Sequence, residues 1–305
     1  METQQNSTNQ LPEKPLYHYS SPSGLLGMME SKSIWMSNIR YQNDSKEYNH
    51  IFDVLIKLIK EEYPGLDLEQ QIAGGKDREL FVPPIFTFSL TEEKDLLSQW
   101  RGYCPNGGYC FSFDRTQLNA FVKRFGLSVQ KCVYEEDEQK KIIREEVIRF
   151  TSKDWEEINS GKKEKDSAFM YGLKYLRNRL ARIAPLLKHH AFAEEVEWRL
   201  VKDFDQASPE IRPLEQHPAF SRSKVSEVSD EGQFFKFRED IGMLIPYLSL
   251  PLVDLTDLYQ SVKLSEVIIA PGTRHQLAKS SCEAMLSSWG VNCPVNFSSV
   301  PYREK

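Results

Sequence analysis

The sequence predicts an α+β fold, organised as one domain with a mainly helical insertion. Short segments that alternate apolar and polar residues recur along the chain, separated by irregular helical segments rather than by regular βαβ units. No internal repeat and no obvious linker divides the 305 residues. The segment near 135–190 is dense in charge and reads as helical. We therefore expect a single domain over 15–305, preceded by a disordered polar leader over 1–14.

The composition is that of a soluble globular protein, with 40% hydrophobic and 27% charged residues. No apolar run approaches the roughly 20 residues of a membrane span, and the first residues lack the apolar core of a signal peptide. These features predict a cytoplasmic protein. The five cysteines form no CxxC pair, so neither structural zinc nor disulfides are expected. A net charge of -5 gives no overall attraction to nucleic acid.

The first half of the chain alternates strands and helices. Pro22 suits an early helical position, and apolar residues recur with helical spacing between 48 and 59. In the stretch 85–90, hydroxyl side chains alternate with apolar ones, as in a strand. Strands are predicted at 16–19, 33–37, 85–90, 109–113 and 128–134. Helices are predicted at 24–30, at 45–62 and from about 116, with a helical turn over 95–102.

The second half is less regular. The predicted order is one or two exposed helices over 135–165, a helix over 168–188, a strand over 194–201, a loop over 203–228, a strand over 232–238, an irregular apolar stretch over 241–252, a buried strand over 267–273, a helix over 274–289 and a last strand over 295–300. The segment 174–182 is the most basic, with Lys174, Arg177, Arg179 and Arg182. It indicates either a solvated helix face or contact with an acidic target such as nucleic acid.

The most informative stretch is Glu194–Val201, because its charges follow a strand period. If it is a strand, Glu195, Glu197 and Arg199 share one face. The other face carries Val196, Trp198 and Leu200. Two carboxylates this close raise the pKa of one of them unless a cation such as Arg199 relieves the repulsion. The charged face therefore either lines a cleft or forms a solvated edge with an internal ion pair.

Other polar residues lie at the predicted strand ends, and each has two interpretations. His18 is either a ligand-binding group or a hydrogen-bonded core histidine. Asn43 either contacts a ligand or, with Asp44, forms a turn and a helix N-cap. Arg101 either binds a pyrophosphate or pairs with Asp95. The chain contains no GxGxxG motif, no P-loop and no HExxH motif, so the usual dinucleotide, nucleotide-hydrolase and zinc-protease sites lack support.

Several motifs in order along the chain resemble those of the bacterial domain-of-unknown-function 2971 family. They are Leu16-Tyr17-His18-Tyr19-Ser20, Ile34-Trp35-Met36-Ser37, Asn43-Asp44, Phe88-Ser89, Leu97-Ser98-Gln99-Trp100-Arg101-Gly102-Tyr103, Glu195-Val196-Glu197-Trp198-Arg199, Val267-Ile268-Ile269-Ala270-Pro271-Gly272 and Val300-Pro301-Tyr302-Arg303. The resemblance covers about 16–303. The family carries no assigned activity, so this resemblance alone implies no function.

A weaker resemblance is to the ADP-ribosyltransferase superfamily. His18-Tyr19-Ser20, followed by a short helix and a strand, is similar to the opening of those enzymes, and Glu195-Val196-Glu197 is similar to their ExE pair. This resemblance implies a split mixed β-sheet with flanking helices and NAD as the substrate. The implied catalytic residues are Glu197 and Glu195, with Glu197 preferred because the second glutamate usually contacts the ribose. The implied cofactor-binding residues are His18, Tyr19, Ser20, Ser37, Asn43, Ser89, Arg101 and Arg199.

The implied function is transfer of ADP-ribose from NAD to a protein or nucleic acid, with NAD hydrolysis as a variant and bacterial stress or phage defence as the expected setting. A fixed carboxylate would stabilise the oxocarbenium-like transition state. The alternative is a non-catalytic module that binds a nucleotide or nucleic acid in the same cleft. Two expectations follow. One cleft should be lined by His18, Ser20, Ser89, Glu195 and Glu197, with His18 on the same side of the sheet as the glutamates. Substitution of Glu197 by Gln should reduce turnover without affecting folding.

Overall fold

A computed structural model describes residues 10–41, 47–62, 85–159, 176, 179–203, 235–240, 242–253, 261–272 and 274–301. The strands are β1 (Tyr17–Ser20), β2 (Ser33–Asn38), β3 (Ile85–Thr91), β4 (Tyr109–Phe113), β5 (Ser128–Lys131), β6 (Glu197–Asp203), β7 (Phe235–Asp240), β8 (Met243–Pro251), β9 (Leu264–Ile269) and β10 (Val295–Phe297). The helices are α1 (Pro22–Ser31), α2 (Glu47–Glu62), α3 (Leu97–Tyr103), α4 (Arg115–Arg124), α5 (Glu136–Asn159) and α6 (His275–Ser288). Short 3-10 segments occupy Ile39–Tyr41, Ala184–Leu186 and His190–Glu195.

The fold is α+β, with an open mixed sheet and several helices. Among the described strands, the order is β10-β9-β4-β1-β3-β2-β8-β7, and β6 and β5 continue from the other edge of β3. The pair β9–β10 is parallel, whereas the other paired strands are antiparallel. Strand β3 is therefore the centre of the sheet, because it is the strand to which β1, β2 and β6 all pair.

The sheet divides along one edge of β3. Strand β6 pairs with β3 over its whole length, from Ile85 to Thr91, and so occupies one edge. On the other edge, β1 pairs only at Thr91, whereas β2 pairs at Thr87 and Phe86. Between Thr87 and Thr91, residues 88–90 pair with neither β1 nor β2 on this edge. This gap leaves strand backbone available to other partners.

Three apolar clusters stabilise the described parts. The largest joins one face of the central strands to α1, α4 and α6, with Phe86, Phe111 and Leu200 almost fully buried. The second joins α2, α5 and the segment near 176–187 to Ile85 and Val201 of the sheet. This second cluster shows that the helices near 135–190 pack on the sheet. The third lies under α3 and contains Tyr17, Tyr19 and Trp100.

The structure confirms most of the predicted strands and corrects two segments. The stretch 241–252 was predicted to be irregular, but residues Met243–Pro251 form the regular strand β8 between β2 and β7. Pro246 is tolerated because β8 pairs with β2 only from Tyr247 onward, so only β7 pairs with it at the proline.

The strand predicted over 194–201 begins only at Glu197. Glu195 ends a 3-10 segment, and Val196 adopts a left-handed conformation with φ 41 that interrupts the extended chain. Glu195 and Glu197 therefore do not share a strand face.

Other predictions have mixed outcomes. The charged segment 135–165 contains a single long helix, α5, as far as the structure describes it. The loop predicted over 203–228 lies outside the described residues except for Asp203, the last residue of β6. None of the helices that the structure describes is long and apolar enough to cross a membrane.

Candidate functional site

A pocket opens beside the division of the sheet, between β1, β3, α3 and the start of β6. Its lining residues are Tyr17, His18, Tyr19, Ser89, Leu90, Thr91, Gln99, Tyr103, Glu195 and Glu197. The strand register explains most of this set, because Tyr17 lies opposite Thr91, which lies opposite Glu197. Those three side chains therefore share one face of the sheet. Helix α3 covers the same face and contributes Gln99 and Tyr103.

A buried cluster of four charges lies beside the pocket, and two of its members, Glu195 and Glu197, line it. Lys188 Nζ donates to Glu197 Oε2 at 2.6 Å and also to the carboxylate of Glu195. Arg199 donates to both oxygens of Glu197, through Nε at 2.8 Å and Nη2 at 3.0 Å. Arg199 is 1% exposed, Glu197 4% and Lys188 6%. The cluster contains two anions and two cations, which is how charged groups are tolerated at this depth.

Two opposing effects set the protonation of Glu197. Burial alone would raise its pKa, but the adjacent Arg199 and Lys188 outweigh this effect and lower the pKa from 4.5 to about 2. Glu197 is therefore a carboxylate throughout the physiological pH range. Its charge is already compensated by the two cations.

Hydrogen bonds to neighbouring backbone and side-chain groups fix the cluster in place. Arg199 Nη1 donates to the carbonyl of Pro185 at 3.0 Å, and the amide of Glu197 donates to the hydroxyl of Tyr134 at 2.9 Å. The carbonyl of Lys188 accepts from Gln139 Nε2 at 2.7 Å, which ties the cluster to α5. Thr91 Oγ1 donates to the carbonyl of Glu195 at 2.5 Å and so holds the end of the 3-10 segment against β3.

His18 occupies the gap where the sheet divides. Its Nδ1 lies 2.8 Å from the carbonyl oxygen of Ser89, and its ring stacks on Phe88 with a centroid distance of 4.2 Å. A carbonyl can only accept, so Nδ1 carries the proton and Nε2 is left as an acceptor. Burial lowers the pKa of His18 to about 4, against the raising effect of the Ser89 carbonyl, and the charge of Arg238 lowers it further. His18 is therefore neutral at physiological pH.

The side chain of His18 leaves β1 on the opposite face of the sheet from the side chain of Glu197. Side chains alternate along β1, so His18 points away from the face that carries Tyr17, Tyr19 and Glu197. His18 lines the pocket nonetheless, beside the gap that its ring occupies. The expectation of one cleft is met for His18, Ser89, Glu195 and Glu197, but the expectation that His18 would share their side of the sheet was wrong.

Helix α3 is held rigidly over the pocket. The Tyr19 hydroxyl donates to the carbonyl of Glu93 at 3.0 Å and accepts from the amide of Leu96 at 2.8 Å. Trp100 packs edge-on against Tyr19 and donates from Nε1 to Asp95 at 2.7 Å. Tyr19, predicted to bind a cofactor, thus also positions α3. Its hydroxyl both donates to and accepts from the backbone before α3.

The other predicted site residues that the structure describes lie away from the pocket lining. Ser20 is buried at the end of β1, where its carbonyl accepts from the Cys104 thiol at 3.3 Å. Ser37 accepts a hydrogen bond from Arg238 Nη2 at 3.2 Å. Arg199 lies behind Glu197. Asn43 lies outside the described residues.

Arg101 is exposed on α3, and its predicted pairing with Asp95 is not the arrangement found. Asp95 instead accepts hydrogen bonds from Trp100, Ser298 and Ser299. Binding of a pyrophosphate by Arg101 stays a prediction.

The basic segment 174–182 can be followed only in part. Arg179 pairs with Glu146 through Nε at 3.0 Å, and Arg182 lies 3.0 Å from Asp203. These two arginines are therefore engaged by acidic residues of the same chain. Lys174 and Arg177 lie outside the part of the chain that the structure describes.

Sequence reasoning missed the residues that complete the site. Gln99 and Tyr103 are four positions apart, which places them on one face of a helix, and this spacing was a usable signal. Lys188 gave no such signal, because a lysine at the end of a basic segment is normally exposed. No group of three or more His, Cys, Asp or Glu side chains in the described ranges is arranged to hold a metal ion.

Comparison with known proteins gives one match. Residues 99–200 match a family described as protein of unknown function (DUF2971). No curated protein and no solved structure matches the chain significantly. The matched segment is about a third of the chain and includes Gln99, Lys188, Glu195, Glu197 and Arg199. The resemblance to ADP-ribosyltransferases stays a prediction. Residues 99–200 thus carry the DUF2971 pattern, which confirms the family resemblance that the sequence motifs predicted.

Proposed function

We propose that this protein is an NAD-dependent ADP-ribosyltransferase that modifies a protein or nucleic acid, with NAD hydrolysis as the reaction when water replaces the acceptor. One observation carries the proposal. A single pocket beside the division of the sheet joins His18 and Ser89 to Glu195 and Glu197, although these pairs are more than 100 residues apart in sequence. Carboxylates beside a confined cavity with a neutral histidine suit a reaction that builds positive charge on a sugar.

The proposed reaction breaks the bond between C1′ of the ribose and the nicotinamide nitrogen. The electron pair leaves with nicotinamide, and positive charge develops on the ribose. An oxygen or nitrogen of the acceptor then bonds to C1′ and releases a proton, which a carboxylate accepts. The products are nicotinamide and the ADP-ribosylated acceptor. In the hydrolytic variant, water supplies the oxygen and free ADP-ribose forms.

The contacts favour different roles for the two glutamates. Glu197 is bound by Arg199 through two hydrogen bonds as well as by Lys188, so its charge is largely offset. Glu195 lies nearer the surface, with 13% of its side chain exposed, and Lys188 donates to it as well as to Glu197. We assign the reacting carboxylate to Glu195. Glu197 acts through Lys188 and is a positioning residue.

The size of the pocket limits how NAD can bind. The cavity volume is about 40 Å³, which holds about three water molecules and no nucleoside. Only one small polar group of NAD therefore enters. The pyridine ring of the nicotinamide then lies at the mouth of the pocket, beside Tyr103, which is 38% exposed. The rest of the dinucleotide extends outside the cavity.

The proposal is tested by incubating the protein with labelled NAD and cell lysate. Protein, RNA and DNA fractions are separated, and released nicotinamide is quantified. We expect the Glu195→Gln variant to lose about 100-fold in rate, or about 3 kcal/mol of transition-state stabilisation, while it stays folded. Glu194→Gln is the matched control, because Glu194 is the exposed neighbour. Wild-type protein that yields neither nicotinamide nor a labelled macromolecule contradicts the proposal.

A second function is favoured by the charge balance of the cluster. A carboxylate already paired with Arg199 and Lys188 suits a non-catalytic module that binds a nucleotide without cleaving it. This candidate predicts that NAD binds and is recovered intact. In that case, Glu195→Gln changes the affinity for NAD and no reaction is lost.

A further inference from the structure

Gln99 is a buried polar side chain that faces the pocket and has no partner in the described structure. It is 6% exposed and lines the cavity. None of the residues that the structure describes makes a hydrogen bond to its amide. Neither amide atom of Gln99 is among the fully buried side-chain atoms that lack a partner, so the amide opens onto the pocket. Its two donor hydrogens and its acceptor oxygen are available there. Such a group normally meets its partner in a bound molecule or in water.

The helix that carries Gln99 holds it in a fixed position. Tyr19 and Asp95 secure α3 at its first turn, through Leu96 and Trp100. Gln99 and Tyr103 project from the same face toward the pocket, whereas Trp100 and Cys104 project into the apolar cluster beneath. The amide is therefore preorganised, and a ligand that matches it loses little free energy in ordering the site.

The chemistry that matches an amide is another amide. A carboxamide accepts one hydrogen bond and donates another in one plane, so it can pair with both ends of Gln99. A carboxylate of the same shape only accepts, and it would also enter beside Glu195 and Glu197. The cavity of about 40 Å³ suits a group of this size.

We propose that Gln99 binds the carboxamide of the ligand and selects carboxamides over carboxylates. The inference rests on the proposed function for the identity of that ligand, which is the nicotinamide end of NAD. The carboxamide enters the cavity beside Gln99, and the pyridine ring lies against Tyr103 at the mouth. Gln99 is thus the specificity-determining residue of the site.

The test measures binding of nicotinamide, nicotinate, benzamide and NAD to the full chain by ligand-observed NMR and calorimetry. We expect wild-type protein to bind nicotinamide and benzamide about tenfold or more tightly than nicotinate. Gln99→Met keeps the size of the side chain but removes its amide. It should therefore weaken the binding of the carboxamides about tenfold and abolish their preference over nicotinate. Leu97→Ala, on the exposed side of the same helix, is the control and should change neither.

Gln99→Glu gives a second measurement if Gln99→Met does not fold. The new carboxylate retains an acceptor for the ligand NH₂ but cannot donate to the ligand carbonyl, so nicotinamide should bind more weakly. The binding of nicotinate should weaken further, because the two carboxylates repel each other. A folded Gln99 variant that binds nicotinamide as wild type does would overturn the inference. Failure of the wild-type protein to bind any carboxamide would also overturn it.

A parallel assay of NAD cleavage separates this inference from the proposed function. If NAD is cleaved with an unchanged KM in Gln99→Met, the role of Gln99 is wrong and the transferase proposal stands. If nicotinamide binds through Gln99 but NAD is never cleaved, the role of Gln99 stands and the transferase proposal is wrong.

Discussion

Glu197 is bound on one side by Lys188 and on the other by both nitrogens of the Arg199 fork that face it. All three side chains are nearly inaccessible to water. Charges at this depth are tolerated only as a set, because removing one leaves its partners buried and uncompensated. The sequence led us to expect that Glu197→Gln would reduce turnover without affecting folding. The burial and pairing of Glu197 lead us to expect an effect on folding as well.

We expect Glu197→Gln to lower the free energy of unfolding by about 3 kcal/mol, since Arg199 and Lys188 lose the charge they share. Urea denaturation measures this loss directly. Glu195→Gln is the comparison and should lose much less, because Glu195 is closer to solvent. Equal denaturation midpoints for wild type and Glu197→Gln would mean that the cluster does not stabilise the fold.

The lowered pKa values of His18 and Glu197 make stability depend on pH in two adjoining windows. The pKa of His18 falls from 6.5 in the unfolded chain to about 4 in the fold, so the unfolded state binds more protons between those values. Stability should therefore fall as the pH drops from about 6.5 to about 4. Glu197 acts in the same direction at lower pH, because its folded pKa of about 2 lies below the unfolded value of 4.5.

The measurement is the unfolding free energy of wild type and His18→Gln across this range. The single proton on His18 gives a slope of at most about 1.4 kcal/mol per pH unit. The variant should lose that slope between pH 6.5 and 4.5 and keep the decline below pH 4.5, to which Glu197, Glu92 and Asp95 all contribute because the fold lowers their pKa values. Parallel curves for the two proteins over the upper window would show that His18 does not titrate as described.

At the scale of elements, β1, α3 and β4 pack closely where they meet at Gly108. Gly108 precedes β4 and lies against both other elements. A Cβ at this position would meet the Ser20 carbonyl oxygen at 2.5 Å and the Cys104 sulfur at 2.6 Å. Ser20 is paired with Tyr109 in the sheet, so the carbonyl cannot move without separating β1 from β4.

We expect Gly108→Ala to destabilise the protein by about 3 kcal/mol, as overpacking against backbone does. A methyl group added at Gly102 in α3 would have nothing within 4 Å, so Gly102→Ala should be neutral or stabilising by up to about 1 kcal/mol. The two variants add the same atom on either side of Cys104, and denaturant titration compares them. Similar midpoints would contradict the close packing at Gly108.

For the whole molecule, local patterns predicted the elements better than their arrangement. The alternation of 85–90 identified β3, but nothing in the sequence indicates that β1 and β2 share one edge of it. The register that turns His18 away from Glu197 depends on that arrangement. The left-handed Val196 was also unpredictable, because β-branched residues rarely adopt that conformation.

The candidate site shows the same contrast between what local patterns predict and what depends on the arrangement of the elements. His18, Ser89, Glu195 and Glu197 were chosen from motifs and do line one pocket. Ser20 and Ser37 were chosen by the same reasoning and do not, since a position at a strand end does not specify which face or edge the side chain occupies. Burial of Lys188 is a tertiary effect that depends on both glutamates and on Gln139, which lie in two other segments of the chain.

The contacts of Asp95 also impose an order of assembly. Asp95 accepts a hydrogen bond from Ser298, which lies 203 residues further along the chain. At about 5–20 residues per second, a ribosome needs roughly 10 to 40 s to synthesise that interval. Asp95 and helix α3 therefore emerge long before Ser298. A nascent chain adds this contact at the start of α3 late in translation, whatever the stability of the finished protein.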